Sequence, residues 1–88
     1  MAVPKLTIYT LVDCPNCEIL KEFLKKKGIA FSEEDMSTAA ALTELRVNGV
    51  FVNEAPVLRN GTRFLTHNDL FLKGHVKEEN VSRLVEGA

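Results

Sequence analysis

The feature that most restricts the fold is a junction near the start of the chain. A strand-forming run, Lys5 to Val12, is followed within two residues by Cys14-Pro15-Asn16-Cys17 and an amphipathic stretch. Leu6, Ile8, Tyr9, Thr10 and Val12 suit a pleated, buried surface, and Pro4 bounds the run on its left. From Pro15 to Lys27 the apolar Ile19, Leu20, Phe23 and Leu24 recur at helical spacing, while Lys21, Glu22, Lys25 and Lys26 take the other face. Pro15 fits the first helical position, Lys25 to Lys27 complement the negative end of the helix dipole, and Gly28 can close the helix in the left-handed conformation.

The following residues continue the alternation. Ile29 to Ser32 form a short strand that fades into Glu33-Glu34-Asp35, and Ser37 or Thr38 caps a helix from Ala39 to Val47 that Asn48-Gly49 ends. Val57 to Arg59 and Thr62 to Leu65 flank Asn60-Gly61, the strongest short hairpin signal in the chain because both residues tolerate positive φ. Asn68 or Asp69 starts a short helix through Leu70, Phe71 and Leu72 to Gly74, and Val81, Leu84 and Val85 place one apolar face on a terminal helix. A strand-helix-strand unit implies two parallel strands with a right-handed crossover, and the hairpin adds antiparallel strands beside them. The expected class is α/β, a mixed four-stranded sheet flanked by helices, in one domain over residues 1–88.

Composition removes other classes. With 88 residues there is room for one small domain, and an apolar fraction of 45% is what a chain this short needs for a core. Eleven basic against 12 acidic residues leave a net charge of −1, which disfavours disorder and a cationic nucleic-acid binder. The run before Asp13 is too short to span a membrane and has no small-residue cleavage site, so a cytoplasmic protein is expected, with a monomer as the default state.

Two cysteines three apart do not make the disulfide framework of a small secreted domain, and a bridge across so short a loop restricts the unfolded chain by only about 2 kcal/mol. Chemistry explains them better than stapling. If Pro15 opens the helix, Cys14 is its N-cap, and its sulfur can accept from the amides of Asn16 and Cys17, which favours thiolate over thiol. Asp13 and Glu18 oppose that effect weakly. Cys17, one turn inside, is more buried and suited to attack a mixed disulfide held on Cys14. Half a zinc site has the same spacing, with His67 and His75 downstream. Their seven intervening residues exceed the usual three to five, and both histidines read better as surface residues. No metal and no small-molecule cofactor is expected. Phe51 and Val52 read as core ahead of a docking surface beside Pro56, and Lys5, Lys21 and Arg46 as solvated charges ahead of contacts to an anionic ligand or acidic partner. By itself an X-Pro bond such as Ala55-Pro56 reads as trans.

Ile8-Tyr9-Thr10 before C-P-x-C, Ala55-Pro56-Val57 some forty residues on, and then Asn60-Gly61 together resemble the glutaredoxins and related small redoxins of the thioredoxin fold, over Leu6 to about Leu70. The resemblance implies a thioredoxin-like topology, a cis Pro56 beside the active disulfide, and a backbone at Ala55 that pairs with substrate. It implies a dithiol-disulfide oxidoreductase with Cys14 and Cys17 as catalytic residues and Pro15, Ala55 and Pro56 contacting the target. Glutathione-using members usually carry C-P-Y-C, Thr-Val-Pro and a Gly-Gly pair before an acidic residue. Here Asn16, Glu54-Ala55 and Leu65-Thr66 stand in those places, with Asp69 kept, and Glu54 would repel an anionic carboxylate. The Ala55-Pro56-Val57 segment resembles instead the redoxins reduced by a flavoprotein thioredoxin reductase and serving ribonucleotide reductase, although their C-terminal tryptophan motif is missing from this Trp-free chain. The expected partners are therefore a disulfide-containing target protein and a flavoprotein or ferredoxin-linked reductase. The rivals are a glutathione-dependent glutaredoxin and a cysteine-ligated metal or iron-sulfur carrier.

Overall fold

The computed structural model describes residues 6–52 and 54–86. Pro4 and Lys5, expected to bound and open the first strand, lie outside them. The elements run β1 (Leu6–Thr10), α1 (Pro15–Lys26), β2 (Phe31–Asp35), α2 (Ala39–Val47), β3 (Val57–Asn60), β4 (Arg63–Leu65), α3 (His67–Leu70), β5 (Phe71–Leu72), β6 (His75–Val76) and α4 (Glu78–Glu86). The main sheet has the order β2-β1-β3-β4. β1 pairs parallel with β2, antiparallel with β3, and β3 antiparallel with β4, which is the mixed four-stranded sheet expected.

Alternation along β1 divides the core. Leu6 and Ile8 join Leu20 and Leu24 of α1, Leu58, Leu70, Phe71, Val81 and Leu84 on one face. Tyr9 joins Val57, Met36, and Ala41 and Leu45 of α2 in a second cluster, to which Cys17 also belongs. Successive strand side chains point to opposite faces, so helices on both sides are needed to cover them.

Two departures from the sequence reading have clear causes. The second strand begins at Phe31 rather than Ile29 because Ile29 serves the helix before it. Its amide donates to Leu24 O (2.9 Å) and that of Gly28 to Lys25 O (3.0 Å), a six-to-one closure around Gly28 at φ 71°. The strand then extends to Asp35 through exposed acidic residues, as an edge strand tolerates. The helix expected to reach Gly74 stops at Leu70. Lys73 (φ 50°) and Gly74 (φ 81°) form the two-residue turn of a β5-β6 hairpin, because paired positive φ values match strand twist. The other hairpin forms where Asn60-Gly61 signalled one, but its turn lies one residue on: Asn60 ends β3 paired with Arg63, and Gly61 (φ 63°) with Thr62 makes the connection.

Candidate active site

β1, an interior strand, delivers the chain to one end of the sheet, and the turn after it presents the cysteines. Asp13 takes φ 55°, which redirects the backbone so that Cys14, extended at φ −111° and ψ 98°, caps α1. Pro15 occupies the first helical position, where its missing amide hydrogen costs nothing. The Cys17 amide donates to Cys14 Sγ at 3.1 Å, and the Glu18 amide donates to Cys14 O at 3.3 Å. Of the two amides expected to meet the sulfur, the one found among the described residues is that of Cys17, the third helical residue.

Cys14 and Cys17 are joined by a disulfide, with Cα atoms 5.2 Å apart. Burial distinguishes them. Cys17 is 1% exposed within the α2-side cluster, whereas Cys14 is half-buried and packs against it from outside. A partner sulfur can therefore approach Cys14 and not Cys17.

The second part of the site is the irregular segment before β3. The Ala55-Pro56 bond is cis, as the family resemblance implied and against the trans preference of an isolated X-Pro pair. Pro56 is fully buried, Ala55 is nearly so, and Ala55 O lies 3.8 Å from Cys14 Sγ. The sulfur carries no proton in the disulfide, so this is a packing contact; in the thiol form Cys14 could donate to that carbonyl. Pro15, Ala55 and Cys14 thus face one hollow of about 350 Å³, whose other walls include Val12, Glu54 and His67.

His67 was expected on the surface, apart from the chemistry, and that reading is corrected. Its Nε2 is 3.0 Å from Asn16 Nδ2, and its ring stacks on Phe71 at 5.7 Å between centroids. Nδ1 is buried and 3.5 Å from Glu54 Oε2 without a hydrogen bond. The helix start at Thr66 was the local signal: Asp69 Oδ2 accepts from Thr66 N (3.0 Å), which sets His67 as the first helical residue. Nothing local pointed to Asn16, 51 residues away. His75 is exposed in β6, away from this cluster. Among the described residues no group of three or more His, Cys, Asp or Glu side chains is placed to hold a metal ion.

Phe51 is likewise corrected from core to surface. It is 77% exposed because Val50 N closes α2 onto Leu45 O (2.8 Å), leaving Phe51 beyond the helix with no strand partner. Val52 is half-buried beside the α2-side cluster.

Electrostatics near α1 centre on Lys21. It is 2.8 Å from Glu18 and 3.3 Å from Glu33, and these carboxylates, Glu18 foremost, raise its pKa. Glu33 is held below the usual carboxylate range first by the Thr10 hydroxyl (2.9 Å), then by Lys21. Lys21 is therefore tied into the fold rather than a free solvated charge, while Arg46 is exposed.

No protein-family model matches the chain, and no curated protein does. Solved structures do. A thioredoxin-like protein, crystallised as a point mutant, is 26% identical with a TM-score of 0.71, covering 96% of this chain and 97% of its own. The glutaredoxin-like NrdH-redoxin from Escherichia coli is 27% identical with a TM-score of 0.56, over 69% of this chain and 79% of that one. A glutaredoxin from Archaeoglobus fulgidus, at 21% identity, shares the fold with a TM-score of 0.66 over 98% and 90%. The chain is a glutaredoxin-like protein of the thioredoxin fold that carries a C-x-x-C disulfide, Cys14–Cys17, at the tip of its first helix.

Proposed function

We propose that the protein is a dithiol-disulfide oxidoreductase that reduces disulfides of other proteins. The observation that carries the reading is the half-buried Cys14, whose sulfur accepts an amide hydrogen at the start of α1, with Cys17 buried behind it. In the reduced protein, Cys14 thiolate attacks one sulfur of a target disulfide, forming a mixed disulfide and releasing one target thiolate. Cys17 then loses its proton to solvent and attacks the Cys14 sulfur. The second target thiolate leaves, the two target thiolates take up two protons, and two electrons have passed from the protein dithiol to the target. Pro15, Ala55 and Pro56 shape the docking edge, and the Ala55 carbonyl holds the target beside the sulfur.

The electron donor in this reading is a flavoprotein or ferredoxin-linked reductase, and ribonucleotide reductase is one candidate target. The NrdH-redoxin from Escherichia coli is a glutaredoxin-like protein with a thioredoxin-like activity profile, which we extend to this chain. Two local features weigh against glutathione. Glu54 lies on the wall of the Cys14 hollow, where the tripeptide's carboxylate would meet like charge. The Asp69 carboxylate is engaged by Thr66 N and Oγ1 at 3.0 and 3.1 Å.

Reduction of insulin disulfides by the wild type, Cys14→Ser and Cys17→Ser, each offered glutathione, thioredoxin reductase or a ferredoxin-linked reductase, tests the whole reading. Turnover with a reductase protein and its loss in Cys14→Ser are expected. Equal activity of Cys14→Ser removes the mechanism, turnover with glutathione alone transfers the protein to the glutathione-linked class, and an iron chromophore after anaerobic purification would mark a cluster carrier.

A further inference from the structure

We propose that the face around Cys14 selects disulfides carried on cationic polypeptide segments with an apolar neighbour. The proposal deepens, and rests on, the reading of Cys14 as the attacking thiol. The hollow that contains Cys14 has Asp13 and Glu54 on its walls. A second, of about 490 Å³, continues from Val12 and Asp13 past Glu18, Glu33 and Asp35. A third, of about 180 Å³, runs from Glu54 and His67 to Phe51. Five carboxylates thus line the surface around the redox turn, and among the described residues no Lys or Arg lines it. The chain as a whole is nearly balanced, with 11 basic and 12 acidic residues, so this asymmetry is one of placement rather than composition.

Not all five carboxylates are equally available. Lys21 answers Glu18 and Glu33 from the flank of α1. Asp35 is turned onto Ser37, whose hydroxyl first and amide second hold it below the usual carboxylate range. Among the described residues the one ion-pair partner of Glu54 is the His67 ring, at 3.5 Å. Asp13 and Glu54, the chain neighbours of Cys14 and Ala55, both line the hollow that contains Cys14. Two exposed apolar side chains accompany them, Val12 (85%) in the same hollow and Phe51 (77%) in the hollow next to Glu54. A target with lysine or arginine next to its cysteine, and an apolar side chain beyond, complements this arrangement; an anionic disulfide does not.

At about 7 Å in water, each carboxylate changes the local concentration of a unit charge by roughly two- to threefold before screening. Two of them acting on opposite ligand charges separate cationic from anionic disulfides by about tenfold at low salt, once screening is allowed for. The test uses disulfide-linked dimers of one short peptide whose cysteine is flanked by lysines, serines or glutamates. Each oxidises the pre-reduced protein in a single turnover, read by acid quench, maleimide labelling and mass, and each rate is divided by that of dithiothreitol with the same peptide. The expected order is lysine, serine, glutamate, with about tenfold between the extremes. The spread should collapse in about 0.5 M salt, where the screening length is only a few ångströms, and in the Asp13→Asn/Glu54→Gln double variant. Any change in the reactivity of Cys14 itself acts alike on all three peptides and cancels in the comparison. Equal normalised rates, or an order that survives both salt and the double variant, overturn the proposal. If no peptide oxidises the protein, the dithiol function itself is removed and the charge selection with it.

Discussion

Replacing Asp13 with Asn should make the Cys14 sulfur easier to ionise, by an amount the geometry bounds. The sulfur sits at the start of a twelve-residue helix and accepts from the Cys17 amide at 3.1 Å. A helix N-terminus favours a negative charge by about 0.3 to 1 kcal/mol when exposed and up to about 2 when partly buried. A carboxylate roughly 8 Å away in water opposes this by about 0.5 kcal/mol, and salt reduces that further. The amides therefore win, and removing Asp13 should lower the titration midpoint by up to about 0.4 of a pH unit. Asparagine is the right replacement because it tolerates the positive φ of this position. Glu18 is already answered by Lys21 at 2.8 Å, so Glu18→Gln should move the midpoint less. The assay is thiolate absorbance against pH in Cys17→Ser, which keeps the residue-17 amide, folded and in urea. A folded midpoint at or above the unfolded one, or an upward shift in Asp13→Asn, would refute the reasoning.

Other expectations concern the scaffold that holds this turn. Leu20 is fully buried one turn beyond Cys17, so Leu20→Ala should cost about 2 to 5 kcal/mol in urea unfolding. Thr38 caps α2 by accepting from the Ala41 amide at 3.1 Å, and Thr38→Ala should lose about 1 kcal/mol by the same measurement. Glu33 has a lowered pKa in the fold, so its contribution is present above the unfolded carboxylate pKa and is lost as pH falls through the folded one. Being half exposed, the interaction is worth no more than about 1 kcal/mol. Stability of Glu33→Gln should therefore fall below wild type at neutral pH and converge with it in acid; parallel curves would show that Thr10 and Lys21 do not act on the carboxylate.

The sheet order and the redox turn were legible because local chemistry and tertiary need agree there. Pro15, the lysines at the end of α1 and Gly28 are each placed where an isolated helix would want them. Ile29 misled because an apolar residue after a glycine serves a helix closure and a strand equally well until the hydrogen bonds are drawn. Lys73-Gly74 is masked as a turn signal because Leu70 to Leu72 look helical alone; the paired positive φ values appear only with the strands on either side. The Thr66 cap places His67 at a helix start but not against Asn16, and nothing local exposes Phe51. One is fixed by Asn16 across the fold, and the other is exposed by a backbone closure at Val50. The cis Ala55-Pro56 bond came from family resemblance, against local preference.

The central claim is that the sulfur reaching out from the first helix is the one that exchanges. Treating the reduced wild type with substoichiometric iodoacetamide near neutral pH and mapping the labelled peptide tests it directly. The account predicts label on Cys14 ahead of Cys17 by tenfold or more, roughly, given the thiolate's advantage and the burial of its partner. Equal labelling, or Cys17 first, would contradict it.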